Sequence, residues 1–217
     1  MTRASPTGLL VLHAVRITGF ADTQVIAHRF GLDPAETAGI LRDAEARGWV
    51  QHAAFADIGG WSLTGMGRTE NERQLRDELA AAGGGDDEIR AIHRGFLPLN
   101  ARLQQACTDW QLHPVPGDRL AANDHSDPVW DACVLDELAT IDRALTPLAR
   151  RLADILTRFQ GYDTRFTAAL QRAQAGDGGW VDRTDVDSCH RVWFELHEDL
   201  IATLGIDRRT AAWPLER

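Results

Sequence analysis

A chain of 217 residues with 44% apolar residues buries a core without a disulfide framework or a structural metal, and its size fits one or two domains. Its net charge of −9 excludes a protein whose whole surface tracks nucleic acid, because neutralisation of phosphates by cations supplies most non-specific affinity. No charged stretch followed by an apolar run opens the sequence, and no apolar run approaches the about 18 to 20 residues of a membrane span, so the expected location is cytoplasmic, with no membrane partner.

Apolar positions Leu9, Leu12, Val15 and Ile17 predict a first helix over 8–20. Asp22 is a candidate N-cap for a second helix over 23–30, and Asp33-Pro34 has the cap and first-turn residues of a third, which runs to Arg47 and stops at Gly48. Two strand-like runs, 49–55 and 61–64, flank the turn residues 57–60. A fourth helix over 66–82 follows, with Met66, Leu75 and Leu79 as candidate packing positions. Three helices, a hairpin and a helix make the winged helix-turn-helix order, expected over residues 1–82.

The segment from Ile40 to Val50 resembles the end of the recognition helix and the first wing strand of MarR-type regulators. Trp61-Ser62-Leu63-Thr64-Gly65-Met66-Gly67-Arg68 resembles their second wing strand and the Leu-Thr-x-x-Gly-Arg entry to the next helix. The resemblance covers about the first 80 residues and implies effector-responsive transcription regulation. On that reading the third helix enters the major groove of double-stranded DNA, and its outward face is Ala35, Glu36, Ala38, Gly39, Arg42 and Asp43. The expected DNA contacts are Arg29, Glu36, Gly39, Arg42, Arg47, His52 and Arg68, with Arg16 a further candidate for phosphate. Residues 56–60 depart from the family pattern, since no arginine stands at the wing tip. That departure, and the 10 carboxylates against 8 arginines over residues 1–82, favour the alternative of a protein-docking module that never contacts DNA.

Residues 83–87, Gly-Gly-Gly-Asp-Asp, read as a flexible linker, and residues 88–217 as an all-α domain of about five helices. These are expected over 88–112 with a kink or break at Pro98, over 129–144, over 147–159 started by Thr146-Pro147, over 162–175, and from an Asp187 or Ser188 cap to Leu204. The loop before the second of them holds Asn123-Asp124-His125-Ser126-Asp127. One reading makes this run part of a pocket for a small organic effector, edged by Trp110, Asn123, Asp124, His125, Trp130, His190, Trp193, His197 and Glu198. The other makes Asp127-Pro128 a helix cap and Asn123-Asp124 an Asx turn. Trp180 and Trp213 complete the tryptophans of this part. The domain is also the expected seat of homodimerisation.

Cys107, Cys133 and Cys189 lie far apart without CxxC spacing, and His190 and His197 are about 10 Å apart along a helix axis, too far to share a metal. No cofactor or metal is expected. No nucleophile elbow, P-loop or dinucleotide fingerprint is present, so the chain reads as a non-enzyme; an enzyme built on His125, His190 and His197 is the remotest alternative.

Overall fold

The computed structural model describes residues 3–55, 58–83 and 85–206. They form a mostly helical structure with one small two-stranded antiparallel sheet. The order is α1 (Thr7–Thr18), α2 (Thr23–Arg29), α3 (Pro34–Ala46), β1 (Val50–Phe55), β2 (Ile58–Leu63), α4 (Gly65–Ala81), α5 (Gly85–Gln111), α6 (Pro128–Ile155), α7 (Tyr162–Gln174) and α8 (Cys189–Leu204). Among the described residues no helix is long and apolar enough to cross a membrane.

Local chemistry accounts for the element boundaries in the first half. The Asp22 side chain accepts from the Val25 N–H and that of Asp33 from the Glu36 N–H, both at 2.8 Å, so each fills an orphan donor of the helix it starts. Gly48, with φ of +71°, ends α3: its N–H donates to the Glu45 carbonyl and that of Trp49 to the Ala44 carbonyl, each at 2.8 Å, which is the Schellman arrangement. Strands β1 and β2 pair from Val50 opposite Leu63 to Phe55 opposite Ile58. Ala21, just before α2, adds a single antiparallel bridge to Trp61. The Trp61 indole N–H donates to the Thr23 hydroxyl at 3.1 Å.

Val11, Leu12, Val15, Ile26, Leu41, Ala44, Val50 and Trp61 form a core that draws on α1, α2, α3 and the hairpin. Met66, expected to pack, is 62% exposed, while Leu75 is fully buried with Leu9 and Ala202.

The chain divides into two compact units. The first comprises residues 1–89, 155–158 and 197–217, and the second 90–154 and 159–196. This differs from a single boundary at 83–87. Gly85, Asp86 and Asp87 are the first turn of α5, where the two carboxylates suit the helix N-terminus, so these residues are not a linker. The second half also has fewer, longer helices than expected. Pro98 lies within α5 without dividing it, on an exposed face together with Arg94, whose carbonyl its ring leaves without a helical donor. Pro147 likewise lies within α6, because Val134, Leu138, Ile141, Leu145, Ala149 and Leu152 make one unbroken buried stripe that outweighs the single lost hydrogen bond.

Gly67 explains the Leu-Thr-x-x-Gly-Arg pattern physically. The Thr64 hydroxyl donates to the Gly48 carbonyl at 2.6 Å and accepts from the Gly67 N–H at 3.0 Å, which draws the start of α4 onto the end of α3. At that closeness a Cβ on Gly67 would overlap the Trp49 carbonyl oxygen, a backbone atom that cannot swing away. Gly67→Ala is expected to destabilise the protein by at least about 2 kcal/mol in urea denaturation, as overpacking of a rigid site does.

Candidate functional site

Helix α3 carries its apolar side inward: Leu41 and Thr37 are fully buried and Ala44 nearly so. Glu36, Arg42 and Asp43 are exposed on the other side, with Gly39 half-buried. A Cβ on Gly39 would meet no atom within 4 Å, so a close backbone approach is open there. The Arg42 Nε donates to the Ala38 carbonyl at 3.2 Å. Arg47, also exposed, lies 4.9 Å over the Trp49 ring. His52 is exposed on β1, with its ring edge-on to Trp61 at 4.8 Å. Arg29 is half-buried and stands 4.6 Å over Phe30. Arg68 is half-exposed, 3.5 Å from Glu198. Arg16, expected as a phosphate ligand, is only 8% exposed and is committed to Glu198 and Glu72, at 2.9 and 3.1 Å. Residues 56 and 57, part of the expected wing tip, lie outside the described residues.

In the second unit, Asn123 is the hub of the loop before α6. Its amide donates to the Trp110 carbonyl at 3.1 Å and to Asp131 at 2.9 Å, and its own carbonyl oxygen accepts from the His125 N–H at 3.1 Å. His125 has φ of +59°, a left-handed conformation uncommon for a non-glycine residue, and its Nδ1 lies 3.0 Å from the Asp131 carboxylate. Its ring packs 4.6 Å from that of Trp110. Trp130 stacks on His113 at 4.5 Å and donates to the Asp109 carbonyl. Asp127 accepts from the Val129 N–H at 2.9 Å, and Asp124 accepts from the Ser126 N–H at 3.0 Å, a bond pattern that lowers the Asp124 pKa through the Ser126 side chain and backbone. These contacts match the cap and turn reading of the run, and the polar groups are satisfied largely by one another.

Trp193 is core. It stacks on Phe96 at 4.6 Å and gives its indole N–H to Asn100 at 2.9 Å. His190 is half-buried in the same unit, and burial pushes its pKa down. His197 and Glu198 are buried in the first unit instead. The expected pocket residues are therefore divided between the two units, because α8 passes from one to the other between Leu196 and His197. Trp213 lies outside the described residues.

The densest arrangement of charge went unrecognised in the sequence. The Arg158 guanidinium, fully buried, donates through Nε to Glu78 at 2.9 Å, through Nη1 to Asp199, and through Nη2 to the Thr203 hydroxyl at 2.7 Å. Asp199 also meets His13 Nε2 at 3.0 Å, and Glu78 accepts from the Ser5 hydroxyl. Burial alone would raise the Asp199 carboxyl, but Arg158 and then His13 outweigh it and hold the group well below the usual carboxylate range. All of these residues belong to the first unit. The sequence signal was faint: His13 and Arg16, three apart, interrupt an otherwise apolar α1.

A cavity of about 390 Å³ adjoins this network in the same unit, lined by Arg3, Pro6, Gly8, Leu9, Gln74, Asp77 and Glu78. None of the expected effector residues lines it. Among the described residues no group of three or more His, Cys, Asp or Glu side chains is placed to hold a metal ion. Comparison with family models, with curated proteins and with solved structures finds no match to this chain.

Arg158→Met is expected to cost about 3–5 kcal/mol in chemical denaturation at neutral pH, because it leaves Glu78 and Asp199 buried without their counter-ion. The pH dependence has a definite sign. Since the folded Asp199 carboxyl sits below its unfolded value of about 3.9, the stability it contributes is complete above that pH and is lost on further acidification. Asp199→Asn should accordingly lower stability at pH 7 and flatten the acid limb of the stability profile.

Proposed function

We propose that residues 1–82, within the first unit, form a winged helix-turn-helix of the kind found in MarR-type regulators and that the protein is a DNA-binding transcription regulator acting as a homodimer. The observation that carries this reading is the order α1, α2, α3, β1, β2, α4, with the hairpin tied back to Ala21 and the start of α3 left uncovered. On this reading α3 docks in the major groove and offers Arg42 to base edges or phosphates, with Gly39 allowing close approach. Arg47, His52 and Arg68 supply a small phosphate footprint that a two-fold dimer doubles. With so few cations, affinity is modest at physiological salt, and its salt slope is correspondingly small, since the slope scales with the number of phosphates neutralised. The second unit then serves dimerisation and response to a small effector.

The rival reading, a protein-docking module, is favoured, beyond the wing tip without arginine and the acidic balance, by the exposure on α3 of Glu36, Asp43 and Glu45, which oppose phosphates. A salt titration against DNA from upstream of the protein's own gene, with unrelated DNA of equal length as competitor, separates the two. The regulator should prefer its own DNA by at least about 10³-fold with a linear dependence of log K on log salt, and Arg42→Ala should abolish that preference. Equal or absent binding at low salt would turn the assignment to a protein partner.

A further inference from the structure

The start of α6 and the loop before it leave apolar side chains in water. Among the described residues seven large apolar side chains are exposed, and three of them fall between 115 and 129: Leu120 at 76%, Val129 at 70% and Val115 at 46%. The loop that holds two of them is closely tied. Leu112 bridges Ala122, Val115 bridges Asp118, the His113 N–H donates to the Ala121 carbonyl at 2.9 Å, and the His113 ring stacks on Trp130 at 4.5 Å. This register places Leu120 across from the His113–Pro114 step, while Val115 is two residues beyond His113 and Val129 precedes Trp130. The three therefore stand around one stacked ring pair, on backbone that is already ordered.

Helix α6 adds a second row. Val129, Ala132, Cys133 and Asp136 are all exposed, at the spacings of three and four that put them on one face. The buried stripe that begins at Val134 occupies another face, so the first turns of α6 are apolar on two sides. Such a grouping, unlike single exposed apolar residues, marks an interaction surface.

Charge selects the occupant. Residues 113–136 hold five aspartates against one arginine, Arg119. Asp118, Asp124 and Asp136 are exposed, and among the described residues no arginine pairs with any of them; the nearby Arg102 is taken by Glu137. Asp118 and Asp124 accept from the Leu120 and Ser126 N–H groups, neutral donors that leave each carboxylate its charge. Nucleic acid and an anionic lipid surface are repelled here, and a second copy would set one row of aspartates against another.

We propose that this surface of the second unit docks a basic amphipathic segment of a partner protein. The apolar side of that segment lies against Val115, Leu120 and Val129, and its lysines or arginines face Asp118, Asp124 and Asp136. The docking does not depend on whether the first unit binds DNA, and it leaves the homodimer to another surface.

The test uses the full chain and three labelled peptides about 18 residues long. One has leucines on one helical face and lysines on the other, the second has glutamates in place of the lysines, and the third has serines in place of the leucines. By fluorescence anisotropy the leucine–lysine peptide should bind at least about tenfold more tightly than either of the others, with amide shifts centred on Val115, Leu120 and Val129. Leu120→Ser combined with Val129→Ser, both at exposed positions, should weaken it at least about tenfold and leave the thermal midpoint within a few degrees of the parent. Met66→Ser, at an exposed apolar position of the first unit, should leave binding as it was. Asp118→Asn with Asp124→Asn and Asp136→Asn, which keep the acceptor oxygen that each turn uses, should weaken binding several-fold and reduce its salt dependence. Equal binding of the glutamate or serine peptide, full retention of binding in the serine variant of Leu120 and Val129, shifts centred elsewhere, or a dimer that sedimentation shows to dissociate in that variant would overturn the proposal.

Discussion

Burial of the Arg158 guanidinium is the constraint on which the first unit depends. An isolated cation at that depth is not tolerated, and Glu78 from α4 with Asp199 and Thr203 from α8 must therefore meet it together. Such a set gives little net stability over a well-packed apolar cluster, but any arrangement that separates its members leaves a charge stranded. Its contribution is thus to specificity: it selects the one packing in which residues 155–158 and the end of α8 lie within the first unit.

The same network reaches α1 through His13, which faces Asp199, and a second set links Arg16 to Glu198 and Glu72. Helix α1 therefore has two kinds of partner. Val11, Leu12 and Val15 share the apolar core with α2, α3 and the hairpin, while His13 and Arg16 engage ionic partners from α4 and α8. A helix that packs by both means is committed in rotation about its axis, since turning it to improve one set breaks the other. The exposed face of α3, which packs on α1, inherits that definition.

In the second unit the organising groups are smaller in number. Arg165 pairs with Asp187 and Glu195 at 2.8 Å each, and Trp193 is wedged against Phe96 and Phe166. The loop before α6 needs no ligand to be ordered, because Asn123 and Asp131 satisfy its polar groups and hold His125 in its unusual backbone conformation.

Much of the first half was legible in the sequence because its signals are local. A capping aspartate acts on an N–H three residues away, Gly48 acts on the turn it closes, and the inward positions of α3 follow from a period of 3.6 residues. The unbroken course of α5 and α6 through Pro98 and Pro147 was not legible, since the gain comes from a buried stripe over the whole helix and the loss is a single hydrogen bond. Nor were the partners of Arg16 and Arg158. An arginine reads as a surface cation until carboxylates distant in the chain are brought to it; Glu198 lies 182 residues from Arg16, and Glu78 lies 80 from Arg158. The sequence by itself determined the helix-rich class, the element order of the first 82 residues and the caps that bound them. Only the tertiary structure decided which charges are buried, where the chain divides and where the cavity lies, because each depends on the mutual approach of segments that no local pattern encodes.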